Sequence, residues 1–213
     1  MKRNYIYILI FCFISPLYLL AQEYNLRDKF AFSMNCSLPK TTNNSAFKTT
    51  FNGIGDIEAA LHYRLDENFE ISASCRYAFF QLNAVIFKEN ITGKMENYTP
   101  LLSVSWNKYF SDYIFLRTSI SGGYNFEITK TSLMNAAYFQ EAFYFKPSVG
   151  LYMFSTENLS FGIIFSYNTW LSEFSNQNIY PTIIPGMNAN SYKGNNQTFC
   201  VGFGFYSLIR KSE

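Results

Sequence analysis

Apolar and polar residues alternate with period two through eight segments of this chain, the pattern of a β-strand whose two faces meet different surroundings. In segment 28–38, Phe30, Phe32, Met34, Cys36 and Leu38 share one face; Ala31, Ser33, Asn35 and Ser37 share the other. Segments 54–65 and 69–79 repeat the pattern, with Ile57, Leu61 and Tyr63, then Ile71, Ala73 and Cys75, against Asp56, Glu58, His62, Arg64, Glu70 and Arg76. It returns in 98–109, 113–128, 144–154, 159–169 and 197–209. Three connections are tight: Asp66-Glu67-Asn68, Phe110-Ser111-Asp112 and Ser155-Thr156-Glu157-Asn158. Four are long, at about 39–53, 80–96, 129–143 and 171–195. The spacing predicts an all-β fold of eight antiparallel strands, up-and-down, closed into a barrel with short turns at one end and long loops at the other.

The two faces decide the solvent. One is bulky and aromatic; the other is rich in Ser, Gly and Asn with charges of both signs. Eight strands enclose little more than their own side chains, so small and polar residues suit the lumen and large apolar ones the outside. With 23 Phe and 17 Tyr, one residue in five is aromatic, which a barrel facing lipid requires. About eleven residues per strand at ~3.3 Å each, tilted by about 40°, rise close to the ~25 Å of an apolar band. Lys2 and Arg3 precede an apolar run from Tyr5 to Leu20 that ends at Ala21, as in a cleaved secretory leader. The expected organisation is therefore a signal peptide at 1–21 and a transmembrane β-barrel of the bacterial outer membrane at 22–213, both termini periplasmic. No later stretch has the 18 consecutive apolar residues of a helical span. Aromatic girdles are expected at Tyr63, Tyr77, Trp106, Tyr113, Tyr124, Tyr167 and Trp170.

Charge narrows the function classes. Removing the leader takes away two of the 17 basic residues and none of the 15 acidic ones, leaving a neutral chain with no basic patch for nucleic acid. The predicted lumen collects Asp56, Glu58, Glu70 and Glu127 with Arg64, Arg76, Arg117 and Lys146. Charges with little water must pair, and equal numbers of each sign favour a structural plug over an ion-selective path. His62, the one histidine, points inward near a short turn, away from the outer-leaflet end where a lipid-modifying site would work. Cys36, Cys75 and Cys200 fall on separate strands and match neither a disulfide framework nor a zinc spacing. No phosphate-binding loop or nucleophile elbow is present, so no catalytic residue, metal or cofactor is expected. The long loops are unusually apolar, with Ile86 and Phe87, Tyr138 and Phe139, and Tyr180, Ile183 and Ile184. They either pack as a cap or barrel extension, or form a docking surface for a partner protein or apolar ligand.

The mature chain resembles the superfamily of small outer-membrane β-barrels that includes OmpA-like, OmpX-like and PorT-like proteins; the leader end Leu19-Leu20-Ala21-Gln22 is similar to those of Bacteroidota. The resemblance lies in architecture and implies contact with outer-membrane lipid and insertion by the barrel assembly machinery, which reads an aromatic last strand such as Phe199, Phe203 and Phe205. The chain departs from that pattern in finishing on Arg210-Lys211-Ser212-Glu213. The implied role is structural or interactive, through the outer loops, including that of an accessory subunit in an outer-membrane secretion or assembly complex. The alternatives are a narrow conduit for a small or hydrophobic solute and a lipid-modifying enzyme.

Overall fold

The computed structural model describes residues 29–83, 85, 91–132, 134–174 and 187–209. The signal peptide expected at 1–21 lies outside them. Eight antiparallel strands close in sequence order into one barrel. They are β1 (Phe30–Thr41), β2 (Phe51–Arg64), β3 (Phe69–Leu82), β4 (Gly93–Ser111), β5 (Ile114–Thr131), β6 (Tyr138–Phe154), β7 (Leu159–Glu173) and β8 (Asn195–Ile209). A one-turn helix α1 (Ser45–Thr50) follows β1, and a 3-10 helix (Ala189–Tyr192) precedes β8. Closure comes from β1 pairing with β8 from Phe30 opposite Ile209 to Thr41 opposite Thr198.

Local chemistry sets the tight turns. Asp66 Oδ1 accepts from the Asn68 and Phe69 amides at 2.7 Å each, an Asx turn that reverses the chain between β2 and β3. Thr156 Oγ1 accepts from the Leu159 amide at 3.1 Å between β6 and β7.

A belt of exposed apolar side chains circles the barrel, with Phe32, Leu61, Ile71, Val104, Ile120, Val149, Ile163 and Phe203 taken one from each strand. Inside, Glu58, Glu70, Arg76 and Arg117 are buried. On β5 the outward row from Leu116 to Phe126 rises about 25 Å at ~3.3 Å per residue and ~40° of tilt. Above that level the polarity inverts. Phe80, Leu82 and Met95 turn inward and are buried, while Gln81, Lys94, Lys130 and Glu141 turn outward and are exposed. β3 and β4 are thus apolar-out along the belt and apolar-in beyond it, while β5 turns Thr129 and Thr131 inward there and β6 keeps Phe139 exposed. Hydrocarbon around the belt and water around the outer end account for that switch.

The strands at the long-loop end reach further than the alternation predicts. β4 starts at Gly93 and β6 at Tyr138, inside the stretches expected to be loops. Pairing of β1 with β2 stops at Ser37 opposite Asp56, and that of β6 with β7 at Tyr144 opposite Trp170. The outer ends of β2 to β6 therefore form a five-stranded crown paired among themselves, from Phe51 opposite Leu82 round to Thr129 opposite Tyr138. A bulge between Gly53 and Gly55 shifts the parity of β2, so that Phe51 faces inward rather than outward. A Cβ at Gly53 would overlap the Pro39 carbonyl oxygen of β1. Gly53→Ala is accordingly expected to destabilise the barrel by about 1–3 kcal/mol, read as a lower urea midpoint in vesicles.

Candidate functional site

The lumen is layered. At the short-turn end lies an aromatic layer in which Phe115 stacks on Tyr152 with ring centroids 5.1 Å apart and meets Phe154 at 5.1 Å and Tyr206 at 6.0 Å. Ala31, Phe115, Tyr152, Ile164 and Tyr206 are buried together there.

The next layer is built around Glu70, which is fully buried. Its Oε1 accepts from Tyr206 Oη at 2.6 Å and Asn107 Nδ2 at 2.8 Å. Its Oε2 lies 2.9 Å from Arg117 Nη2, and Arg64 Nε stands 3.9 Å from Oε1. The Arg117 guanidinium also covers the Tyr206 ring at 4.9 Å. Above it Glu58 pairs with Lys146 and accepts from Ser74 Oγ at 3.0 Å. Higher still, Asp56 Oδ2 receives Arg76 Nη2 at 2.7 Å and Nε at 2.9 Å. Glu127 accepts from Trp170 Nε1 at 3.3 Å. Of the eight charged residues anticipated for the lumen, Asp56, Glu58, Glu70, Arg76, Arg117, Glu127 and Lys146 are buried and Arg64 reaches toward Glu70; Asp56, Glu58 and Glu70 make close ion pairs.

His62 touches a serine: Ser33 Oγ is 2.7 Å from Nε2, and Glu70 Oε2 is 3.7 Å from Nδ1. The set resembles a Ser-His-Glu triad in composition, but Arg117 Nη2 sits 2.7 Å from Nδ1. A guanidinium only donates, so Nδ1 must carry the lone pair and Nε2 the proton. Nε2–H then donates to Ser33 Oγ, and His62 cannot take the Ser33 proton in this arrangement. A serine-lined cavity of about 30 Å³ lies between the Glu70 and Asp56 layers, bordered by Ser72, Ser103, Ser121, Ser148, Lys146 and Arg117. That is room for roughly two waters. Among the described residues no group of three or more His, Cys, Asp and Glu could hold a metal ion.

The outer end is closed by a second aromatic layer. Phe47 of α1 is fully buried in a box of Phe80 and Trp170 at 5.6 Å, Phe174 at 5.8 Å and Phe51 at 6.3 Å. Asn44 caps α1 by accepting from the Phe47 amide at 3.1 Å, and its Nδ2 donates to the Tyr192 and Gly194 carbonyls at 3.1 and 3.0 Å. The first long loop is thereby tied to the last.

Two expectations are corrected. Tyr138 and Phe139 are not loop residues: they open β6, opposite Thr129 and Ile128 of β5. The apolar-out alternation fades there because the outside is no longer hydrocarbon, and a fading alternation reads as loop. Trp170 is no girdle residue; it is fully buried in the outer plug, on the same parity of β7 as the inward Ser160, Ser166 and Asn168. Of the remaining girdle set, Tyr63, Trp106, Tyr113 and Tyr167 are exposed at 36–70%. Ile86, Phe87, Tyr180, Ile183 and Ile184 lie outside the described residues. The sequence pattern does not single out Phe47, Phe51, Phe80 and Phe174; the signal it carries for them is a cluster of aromatics flanking the loops, which no strand face absorbs.

No protein-family model matches the sequence, and no curated protein matches it. Solved structures do. The chain is similar to Neisserial surface protein A, with 12% identity over 85% of this chain and 97% of that one and a TM-score of 0.52. It is similar to a major outer membrane protein of Thermus thermophilus, with 10% identity over 84% and 99% and a TM-score of 0.54. The Ail protein of Yersinia pestis aligns with 12% identity over 84% and 98% at a TM-score of 0.47. The fold is thus a closed eight-stranded antiparallel β-barrel, the architecture shared with Neisserial surface protein A and the Thermus outer membrane protein.

Proposed function

We propose that the chain is an integral protein of the bacterial outer membrane that neither conducts solutes nor catalyses a reaction, and that it serves as a sealed post presenting its outer crown to a partner. The short turns and both termini lie on the periplasmic side in this reading, and the crown faces outward. The observation that carries it is the double seal. The Phe115 layer closes one end, the Phe47 layer the other, and the charges between them are tied to one another. Among the described residues a lumen so filled leaves no continuous water column to carry an ion. The crown adds a rigid, apolar-cored platform beyond the membrane, a suitable base for protein recognition, including as an accessory subunit of an outer-membrane secretion or assembly complex.

In planar bilayers at neutral pH the purified barrel is expected to give no discrete conductance steps. Reproducible single-channel openings would overturn the sealed-post reading in favour of a conduit. Gentle solubilisation is expected to retain a stoichiometric protein partner, whereas a lone monomer would count against the accessory role.

A further inference from the structure

Among the described residues the lipid-facing wall carries a depression. It measures about 480 Å³ and lies across β1 to β5 in the half of the belt nearer the short turns. Phe30, Tyr63, Ile71, Val104 and Ile120 are successive cross-strand partners and form one continuous row along it. In the next row Ala73 sits between Leu61 on β2 and Leu102 on β4. An alanine between two leucines is a gap in an otherwise bulky wall, and Ala73 is the floor of the depression. Ser103, which also borders it, turns its hydroxyl into the lumen to meet Ser121 Oγ at 2.8 Å. The surface offered to the outside is therefore hydrocarbon.

We propose that this groove binds one acyl chain of a membrane phospholipid, resting on the reading of the barrel as membrane-embedded. The groove is continuous with the lipid-facing belt, so hydrocarbon is what reaches it. Its shape selects a linear chain over a second barrel: a convex protein wall would stand off on Leu102 and Ile120, which are 73% and 57% exposed, and leave the floor empty. At its short-turn end Phe30 and Tyr63 pack edge-on at 5.4 Å, aromatic rings suited to the interface where the headgroup of the bound lipid would lie. A chain held there buries apolar surface on three sides instead of one, so it exchanges more slowly than lipid elsewhere on the belt.

The test uses the full barrel in vesicles of phosphatidylethanolamine and phosphatidylglycerol, doped with a phospholipid bearing a diazirine in its acyl chain. After irradiation, adducts are mapped by mass spectrometry. Labelling of the segments around Leu61–Ala73 and Leu102–Val104 is expected to exceed that of Val149, Leu151 and Ile163 on the opposite wall several-fold. Ala73→Phe is expected to bring the two walls level while preserving heat-modifiable gel mobility. Should that variant fail to fold, the wild-type asymmetry alone decides. Even labelling around the belt, or an excess indifferent to filling at Ala73, would overturn the groove and leave the membrane reading intact. No labelling anywhere on the belt would sink the membrane reading itself. Loss of lipid adducts at Leu102 together with a dimer on a native gel would replace the lipid by a second copy.

Discussion

Replacing Arg76 with leucine is expected to cost the barrel about 3–5 kcal/mol, the usual penalty for stranding one partner of a buried ion pair. Arg76 is 2% exposed and Asp56 5%. Arg76 Nε and Nη2 both donate to Asp56 Oδ2. The guanidinium also lies over the Tyr144 ring at 4.9 Å, joining the polar interior to the outer plug. Without it, the Asp56 carboxylate faces Asn168 and Cys200 in a space with no room for bulk water. The double variant Asp56→Asn with Arg76→Leu removes both charges and is expected to recover most of the loss, because the penalty belongs to the uncompensated charge rather than to the absent pair. Urea unfolding in vesicles, followed by intrinsic tryptophan fluorescence and gel mobility, reads both. A single variant as stable as the wild type would mean that water reaches Asp56, and the sealed lumen would fail with it.

That outcome bears on why the interior is legible in the sequence and the crown is not. Along the belt each strand separates lipid from a narrow polar lumen, so Phe69, Ile71 and Ala73 against Glu70, Ser72 and Ser74 announce both strand and face. The inward placement of Asp56, Glu58, Arg64, Glu70, Arg76, Arg117, Glu127 and Lys146 follows from parity alone. Which acid meets which base does not. Glu58 and Lys146 come from β2 and β6, on far sides of the barrel, and only closure with its register brings them together. Beyond the membrane the rule that makes the strands readable reverses. Met95 and Phe80 turn inward because water lies outside, and a reading tuned to apolar-out strands ends β3 at 79 and starts β4 at 98. The Gly53 to Gly55 bulge compounds this by one residue, enough to send Phe51 to the opposite face.

Phe47→Ala is the complementary change at the crown. The side chain is fully buried among four rings, and truncation of such a residue costs about 3–5 kcal/mol. The cost falls on the first loop rather than on the ladder below, since α1 has six residues and a single turn has little stability of its own. Its hold is the Phe47 ring and the Asn44 clasp to the Tyr192 and Gly194 carbonyls. Local opening of α1 is therefore expected to rise by roughly two to four orders of magnitude, read as faster amide hydrogen exchange at Lys48 and Phe51. Phe47→Leu, which keeps most of the apolar volume, is expected to restore much of the protection. Exchange across β5 and β6 near Arg117 and Gly150 should stay as in the wild type, because those amides sit in the membrane ladder. If exchange at Lys48 were unchanged, Phe47 would not be what holds the mouth closed. If it rose together with exchange throughout the barrel, crown and transmembrane barrel would be one cooperative unit. The expected separation, a crown that loosens over an intact barrel, is what a sealed post with its own outer recognition surface requires.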